Sequence, residues 1–532
     1  MEWTPLFPSA DLPAGAMKAR GGVLVVRAAD GALSALENAC PHQGYPLAQG
    51  QLTGKTLTCV WHNFKFDVTT GACVLGEEAV QCHAVRVTDG VIEVQRNVRI
   101  DVEARWLSLR QAMERVQTSR MAREVARLLL AGTSVAELLA WGAAWDVDRN
   151  DAGQGHAAAL AADLLGWVTL PPPGRSLREH EVQVVTEVLD LAARGVAGQP
   201  QRPRPQPEAP GPNAGEELLR RVENEDVAGA EALARGMVAA RFDRPQWEAV
   251  LYPLVAAHFL DFGHPLIYIE KVLDLVEAAG PPSDPHPAAD ALLGGLVYSI
   301  ALGTREDLLP PWAGFRKRWA GWAGAGGSPA GNSQVPTVAG LVAAITTGSA
   351  SECFDAVAAA VSEGLWAGVG DALVLAGAHR LWHFDAAHDA NPEVEEGWLD
   401  VTHRFTAGSA ARSALQRWQG PGAARLALMV AQFIHSGRAL DGVEPSGSAL
   451  PDSDALRDLV LSDRRARAIF FAHDVKTLTA ALLESERLGD PLPSLAAVRF
   501  LQSPMQERLV RRFAHEAIRL VDHGKPPKGV GG

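Results

Sequence analysis

Four residues near the start of the chain carry the strongest chemical pattern: Cys40-x-His42, a gap of sixteen residues, then Cys59-x-x-His62. Two thiolates suit one iron of a [2Fe–2S] cluster and two imidazoles suit the other. Both members of a pair must reach a single ion, so each pair belongs in a tight loop. Pro41 and Gly44 supply the turn geometry of the first loop, and Trp61 can cover the cluster from the second. The same donors also satisfy a tetrahedral zinc ion. The contexts Cys-Pro-His-Gln-Gly and Cys-Val-Trp-His, set among short strands, favour iron–sulfur over zinc.

Cysteine is otherwise scarce. Of five in 532 residues, Cys40, Cys59, Cys73 and Cys82 fall in the first hundred and Cys353 stands alone later. That is too few for a disulfide scaffold and fits a reducing compartment. Cys73 and Cys82 read as small core residues without a ligand role.

The elements that must hold these loops read as a small all-β domain over residues 1–100. GVLVV (22–26) and ALSALEN (32–38) flank a turn at 29–31, VRVT (85–88) and VIEVQ (91–95) flank Asp89-Gly90, and TLTCVW (56–61) and KFDV (65–68) are further short strands. From about Arg105 the hydrophobic period becomes helical, as in 107–132 and 291–302. Residues 101–523 therefore read as a large all-α domain. Breaks fall at 198–215, 280–287, 324–336 and 441–453. The first is a Pro-rich linker or loop, expected to be extended and mobile, and 524–532 reads as a disordered tail.

Thirteen of the sixteen histidines lie in the helical part. A weak internal repeat places a small or short residue, then His, then a helix with small residues on one face. Its four copies start at His156, His264, His403 and His473. Extended backwards, the second and third also pair His258 with His379, which makes both pocket candidates. Imidazoles converging from four helices can bind a redox metal inside a bundle. Lys476 shares a helix face with His473; a buried amine of depressed pKa reacts with CO2, and the carbamate ligates as a carboxylate does. Lys271, seven residues after His264, is the alternative to Lys476. Asp400 and Asp474 can orient imidazoles, and Trp141, Trp145, Trp382 and Trp398 can line an aromatic pocket. Helix-start and core roles compete at each of these positions.

Composition bounds the rest. An apolar content of 47% with 21% charged residues describes a globular protein, and a net charge of −13 argues against nucleic acid as partner. No apolar run is long enough to span a bilayer, and the first residues lack the regions of a signal peptide, so a cytoplasmic location is expected.

Residues 1–100 resemble the ferredoxin-type Rieske family, whose two loop motifs are close to CPHQGYPLAQGQ and CVWHNFKFDVTTG. The second departs at Asn63, where Gly is usual, which strains the loop if the backbone there needs a positive φ. Phe64 and Phe66 stand where respiratory-type members place hydroxyl donors, so the resemblance implies a potential toward the low end of the Rieske range. The usual partner, a ring-hydroxylating domain with a two-His, one-Asp iron, is missing; His379-x-x-x-His383 imitates only its histidine spacing. The helical part resembles instead the questin-oxidase-like family, on DFGHPLIYIEKVLDLVE (261–277), GWLDVTHRFTAGSAARSAL (397–415) and AHDVKTLTAALLE (472–484). That family includes iron-dependent enzymes that oxidatively cleave polyketide aromatic rings. The resemblance implies a mononuclear non-haem iron held by His156, His264, His403, His473 and Lys476.

The reading that follows is a two-part redox enzyme. Electrons enter a [2Fe–2S] cluster from a reductase or ferredoxin and pass to a histidine-rich iron, which uses O2 to oxidise an organic substrate. Hydroxylation, Baeyer–Villiger-type insertion and C–C cleavage all remain open, as does the oligomeric state. In the rival reading the helical part is a metal-free docking scaffold and the chain an electron carrier or redox sensor.

Overall fold

The computed structural model describes residues 3–96, 100–281, 283–324, 336–442, 450–506 and 509–524. An N-terminal all-β region is followed by a large helical region.

The β region has ten strands: β1 (Thr4–Pro8), β2 (Ala16–Arg20), β3 (Val23–Arg27), β4 (Leu33–Glu37), β5 (Gln51–Thr53), β6 (Thr56–Thr58), β7 (Lys65–Asp67), β8 (Cys73–Leu75), β9 (Cys82–Thr88) and β10 (Val91–Gln95). They form a six-stranded sheet, ordered β1-β10-β9-β4-β3-β2, and a four-stranded sheet, β5-β6-β7-β8. The unbroken apolar run of β3 follows from burial on both faces. Leu24 and Val26 pack with Cys40, Leu57, Cys59 and Phe66, while Val23 and Val25 pack with Phe7, Ile92 and Val94. Asp89 and Gly90 both take positive φ (50° and 77°), as a two-residue hairpin of the favoured twist requires. The strand expected over 56–61 stops at Thr58, because Cys59 already belongs to a loop. β1 escapes the sequence reading since Pro5 and Pro8 weaken its strand signal, which suits an edge strand carrying a register shift.

The helical stretch expected over 107–132 is two helices, α1 (Val102–Glu114) and α2 (Thr118–Leu130), broken where Val116 adopts φ 53°. Both belong to the first compact unit, which extends to Gly132. A boundary at 100/101 therefore cuts inside that unit. The physical tie is Glu78, fully buried and ion-paired to Arg123 (2.6 Å) and Arg127 of α2.

In the second unit the helices used below are α3 (Val135–Val147), α4 (His156–Leu165), α5 (His264–Ala279), α6 (Trp398–Arg417) and α7 (Ala468–Leu488). α4 and α6 each pack on both α5 and α7. The Pro-rich segment has no regular structure over 199–213, yet it is anchored along its length. Arg202 pairs with Glu231 (2.6 Å), Arg204 with Asp148 and Asp290, and the Glu208 amide donates to the Ala232 carbonyl (2.9 Å). The expectation of a mobile linker is corrected: arginines absent from ordinary linker composition strap it to the helices. Of the tail at 524–532 all but Gly524 lies outside the described residues, as do most of the breaks at 324–336 and 441–453. Among the described residues no helix is long and apolar enough to cross a membrane.

Candidate metal centres

The first candidate site is built by two turns. The loop after β4 closes with the Cys40 amide donating to the Tyr45 carbonyl (2.8 Å) and the Gly44 amide to the Cys40 carbonyl (2.7 Å). Gly44 sits at φ 76°, open to glycine without strain. The loop between β6 and β7 closes through Cys59 N–H to the Phe64 carbonyl (2.8 Å). Asn63 does take a positive φ, 61°, so the departure from Gly falls at a position that needs it; Asn is among the residues that tolerate this region. Tyr45 stacks on Trp61 at 4.1 Å and clamps the two loops together.

This folding places the donors asymmetrically. Cys40 and Cys59 are buried, and burial, with the neighbouring Cys59 thiol, pushes the Cys40 thiol up to about 11. His42 and His62 lie edge to face at 4.6 Å, His42 half-buried and His62 exposed. His42 Nδ1 is buried without a hydrogen-bond partner. Two buried thiols beside two imidazoles, one with an orphaned nitrogen, are a donor set that fits a [2Fe–2S] cluster.

The second candidate site lies among the helices. His156 opens α4 behind Gly155, and the buried Asp146 carboxyl of α3 accepts from the Gly155 and Ala157 amides. A Cβ at 155 would stand 2.0 Å from Asp146 Oδ2, so only glycine permits this cap. His264 opens α5 after three consecutive positive-φ residues, Asp261, Phe262 and Gly263. Its Nδ1 donates back to the Asp261 carbonyl at 2.7 Å, which leaves Nε2 as the inward lone pair. His473 Nδ1 likewise donates to the Ile469 carbonyl at 2.8 Å. His473 Nε2 and His403 Nε2 face each other at 3.3 Å. Two imidazoles ~2.1 Å from one ion stand ~3.0–3.4 Å apart for right-angled to tetrahedral coordination. Ligand atoms of His156, His264 and His403 lie within 4.8 Å of one another, and the His156 and His473 rings are 4.8 Å apart. His156 Nε2 and His264 Nε2 have no hydrogen-bond partner.

The electrostatics match. Burial drives the pKa of His156, His403 and His473 well below the ordinary imidazole value and that of His264 to about 3. All four are therefore neutral, as ligands must be. Lys476, one turn after His473, is 2% exposed with its Nζ unpartnered, and burial pulls it down to about 7. Lys271 behaves differently. It donates to the fully buried Asp163, which outweighs burial and holds the ammonium above the usual lysine range.

Residues 2–89 match the Rieske [2Fe-2S] domain family. The N-terminal unit carries a Rieske domain. A 4beta-methylsterol monooxygenase of Methylococcus capsulatus is 33% identical over 78 residues, 14% of this chain and 21% of that protein. The chain thus spans about a fifth of the length of that curated relative. Among solved structures, a complex of reduced oxygenase and oxidized ferredoxin in carbazole 1,9a-dioxygenase is 23% identical over 19% of this chain and 97% of that one, with a TM-score of 0.18. The Sphingomonas yanoikuyae B1 ferredoxin is 21% identical over 18% of this chain and 100% of its own, with a TM-score of 0.17. A Rieske domain implies a [2Fe–2S] cluster.

The remaining sequence-nominated residues fall elsewhere. His258 pairs with Asp307 (3.0 Å) and Glu223 (3.3 Å), and His379 stacks on His383 at 4.0 Å. Neither ring is among those packed against the four histidines. Asp400 accepts from the Gly397 amide in a helix cap, and Asp474 is held by Arg465 at 2.9 Å, so neither orients an imidazole. Trp398 packs on Phe384 and Phe500, a core role, and Trp145 lies under Arg149. Sequence reasoning missed Tyr268, whose ring is 5.5 Å from His264, and Phe262, 6.4 Å from His403. Tyr268 stands four residues after His264, the helical neighbour position that could have found it.

Proposed function

We propose that the chain is an iron-dependent redox enzyme in which the Rieske domain feeds electrons, drawn from a reductase or ferredoxin, to a second metal among the helices. Cys40, Cys59, His42 and His62 hold the cluster, and His156, His264, His403 and His473 hold a mononuclear non-haem iron. The observation that carries this reading is the convergence of four buried imidazoles, with the Nε2 atoms of His156 and His264 unpartnered and those of His403 and His473 turned to each other at 3.3 Å. Such an iron would supply the one-electron chemistry that lets O2 oxidise an organic substrate.

The chain's own residues do the preparation. The backbone carbonyls of Asp261 and Ile469 fix the tautomers of His264 and His473 and aim Nε2 inward. Lys476, whose amine burial makes available near neutral pH, would add its Nζ to CO2; the N–C bond forms, the proton passes to water, and the carbamate would offer an anionic oxygen to the metal beside the imidazoles. Lys271 is engaged by Asp163 and takes no part in this. Ala157, Ala158 and Leu160 of α4 and Phe405 and Ala407 of α6 are buried, which limits access of water to the helices that carry His156 and His403.

Iron per chain on anaerobically purified protein, with electron paramagnetic resonance before and after dithionite, tests the proposal. A Rieske signal with a third iron is expected, lost separately in His403→Ala and His473→Ala while the Rieske signal stays. Two irons and no other metal after reconstitution would refute it in favour of an electron carrier on a helical scaffold.

A further inference from the structure

The face of α2 that meets the β domain bears Arg120, Arg123, Glu124 and Arg127, spaced at one helical turn. Arg127 Nη2 donates to the Pro41 carbonyl at 3.3 Å, inside the loop between Cys40 and His42. Its Nη1 contacts Glu78 and Glu124 (2.8 Å). Arg123 holds Glu78 at 2.6 Å and reaches Glu77 at 3.5 Å, and Gln117 donates to the other Glu77 oxygen at 2.8 Å. Arg105 and Arg120 join the same network through Glu124 and Ser108. Four arginines thus face three carboxylates, with Glu78 and Glu124 fully buried.

Two consequences follow. First, the loop is pinned by a charge-assisted bond from a side chain that ion pairs already hold in place. Second, one-electron reduction adds negative charge to a cluster, so fixed cations nearby favour the reduced form and fixed anions oppose it.

We propose that Arg123 and Arg127 are positioning residues that brace the first ligand loop and raise the reduction potential of the Rieske cluster, with Glu77 acting in the opposite sense. This rests on the assignment of Cys40, His42, Cys59 and His62 as its ligands. The α1–α2 hairpin is thereby part of the electron-transfer unit rather than the start of the helical domain, and it offsets the low potential implied by Phe64 and Phe66.

The test is a redox titration of the full-length holoprotein, followed by the Rieske resonance, for wild type, Arg123→Gln, Glu77→Gln, Arg127→Gln and Arg127→Lys. The potential should fall in Arg123→Gln and Arg127→Gln, rise in Glu77→Gln, and return most of the way in Arg127→Lys. Added salt should shrink every shift. General loosening of the loop would move all variants in one direction, so shifts of one sign, or none, would overturn the proposal. If Arg127→Gln fails to assemble a cluster, the opposed pair Arg123→Gln and Glu77→Gln decides alone. A wild-type protein without a Rieske resonance would instead retire the ligand assignment.

Discussion

Gly155→Ala is the smallest change that should disable the histidine pocket. The added methyl would meet Asp146 Oδ2 at 2.0 Å and Cγ at 2.9 Å, too close to coexist. Either the buried carboxyl swings away from the Gly155 and Ala157 amides or α4 shifts as a whole. Losing the helix cap costs ~1 kcal/mol. A buried polar group left without its donors adds ~1–3 kcal/mol. The sum is ~2–4 kcal/mol, concentrated at the residue before His156. Chemical denaturation followed by far-ultraviolet circular dichroism would measure it, and Co(II) binding would report the pocket. We expect the stability loss together with weaker Co(II) uptake, while the Rieske resonance is unchanged. A loss below ~0.5 kcal/mol with full Co(II) occupancy would refute the argument that glycine is there for the Asp146 cap.

Other variants probe separate parts of the structure. In metal-free protein Lys476→Met should stabilise the helical unit, because an unpartnered buried amine is replaced by an apolar chain of similar size, whereas Lys271→Met should cost ~3–5 kcal/mol by stranding Asp163. Denaturant midpoints distinguish the two lysines. Burial first, and then Asp463, pushes Glu187 up to about 7. A carboxyl raised in the folded state contributes stability at low pH that is lost as pH climbs from ~4.3 through the folded value. Glu187→Gln should therefore stabilise at pH 8 and change little near pH 4, as melting curves at both pH values would show. Asn63→Ala should cost ~1 kcal/mol at its positive φ and Asn63→Gly should not, read from thermal unfolding of the Rieske unit.

The two kinds of site differed in how readable they were. Cys40, His42, Cys59 and His62 announce themselves because the chemistry of four donors and two tight turns is local, written within 23 residues of chain. The histidines of the helices are spread from position 156 to position 473, and only the repeated small-residue–His start joined them. Their convergence depends on Gly155, Gly263 and the Asp146 cap, contacts between segments that no periodicity encodes. The α1–α2 hairpin misled for a similar reason. Its helical period is correct, but Glu78 lies 45 residues before Arg123, and only their pairing assigns the hairpin to the β domain. His258 and His379 were nominated by the same repeat and fall outside the pocket, so an alignment of Ala-rich helices finds start positions better than it finds ligands.

The two-sided burial of β3 bears on how the Rieske unit finds its fold. In most sheets a strand that slips by one residue exposes its apolar side chains and is rejected at once. Here a slipped β3 would swap Leu24 and Val26 with Val23 and Val25 between two equally dry cores, so hydrophobicity alone does not penalise the error. The hairpins must enforce the alignment, and Gly21 and Gly22, at φ 59° and 82°, form the tight turn into β3. An added Cβ at Gly22 would also meet Arg96 Nη2 at 2.6 Å. Replacing Gly22 should thus weaken the native hairpin and also open a misaligned, compact trap, seen as a slow refolding phase in addition to the loss of stability.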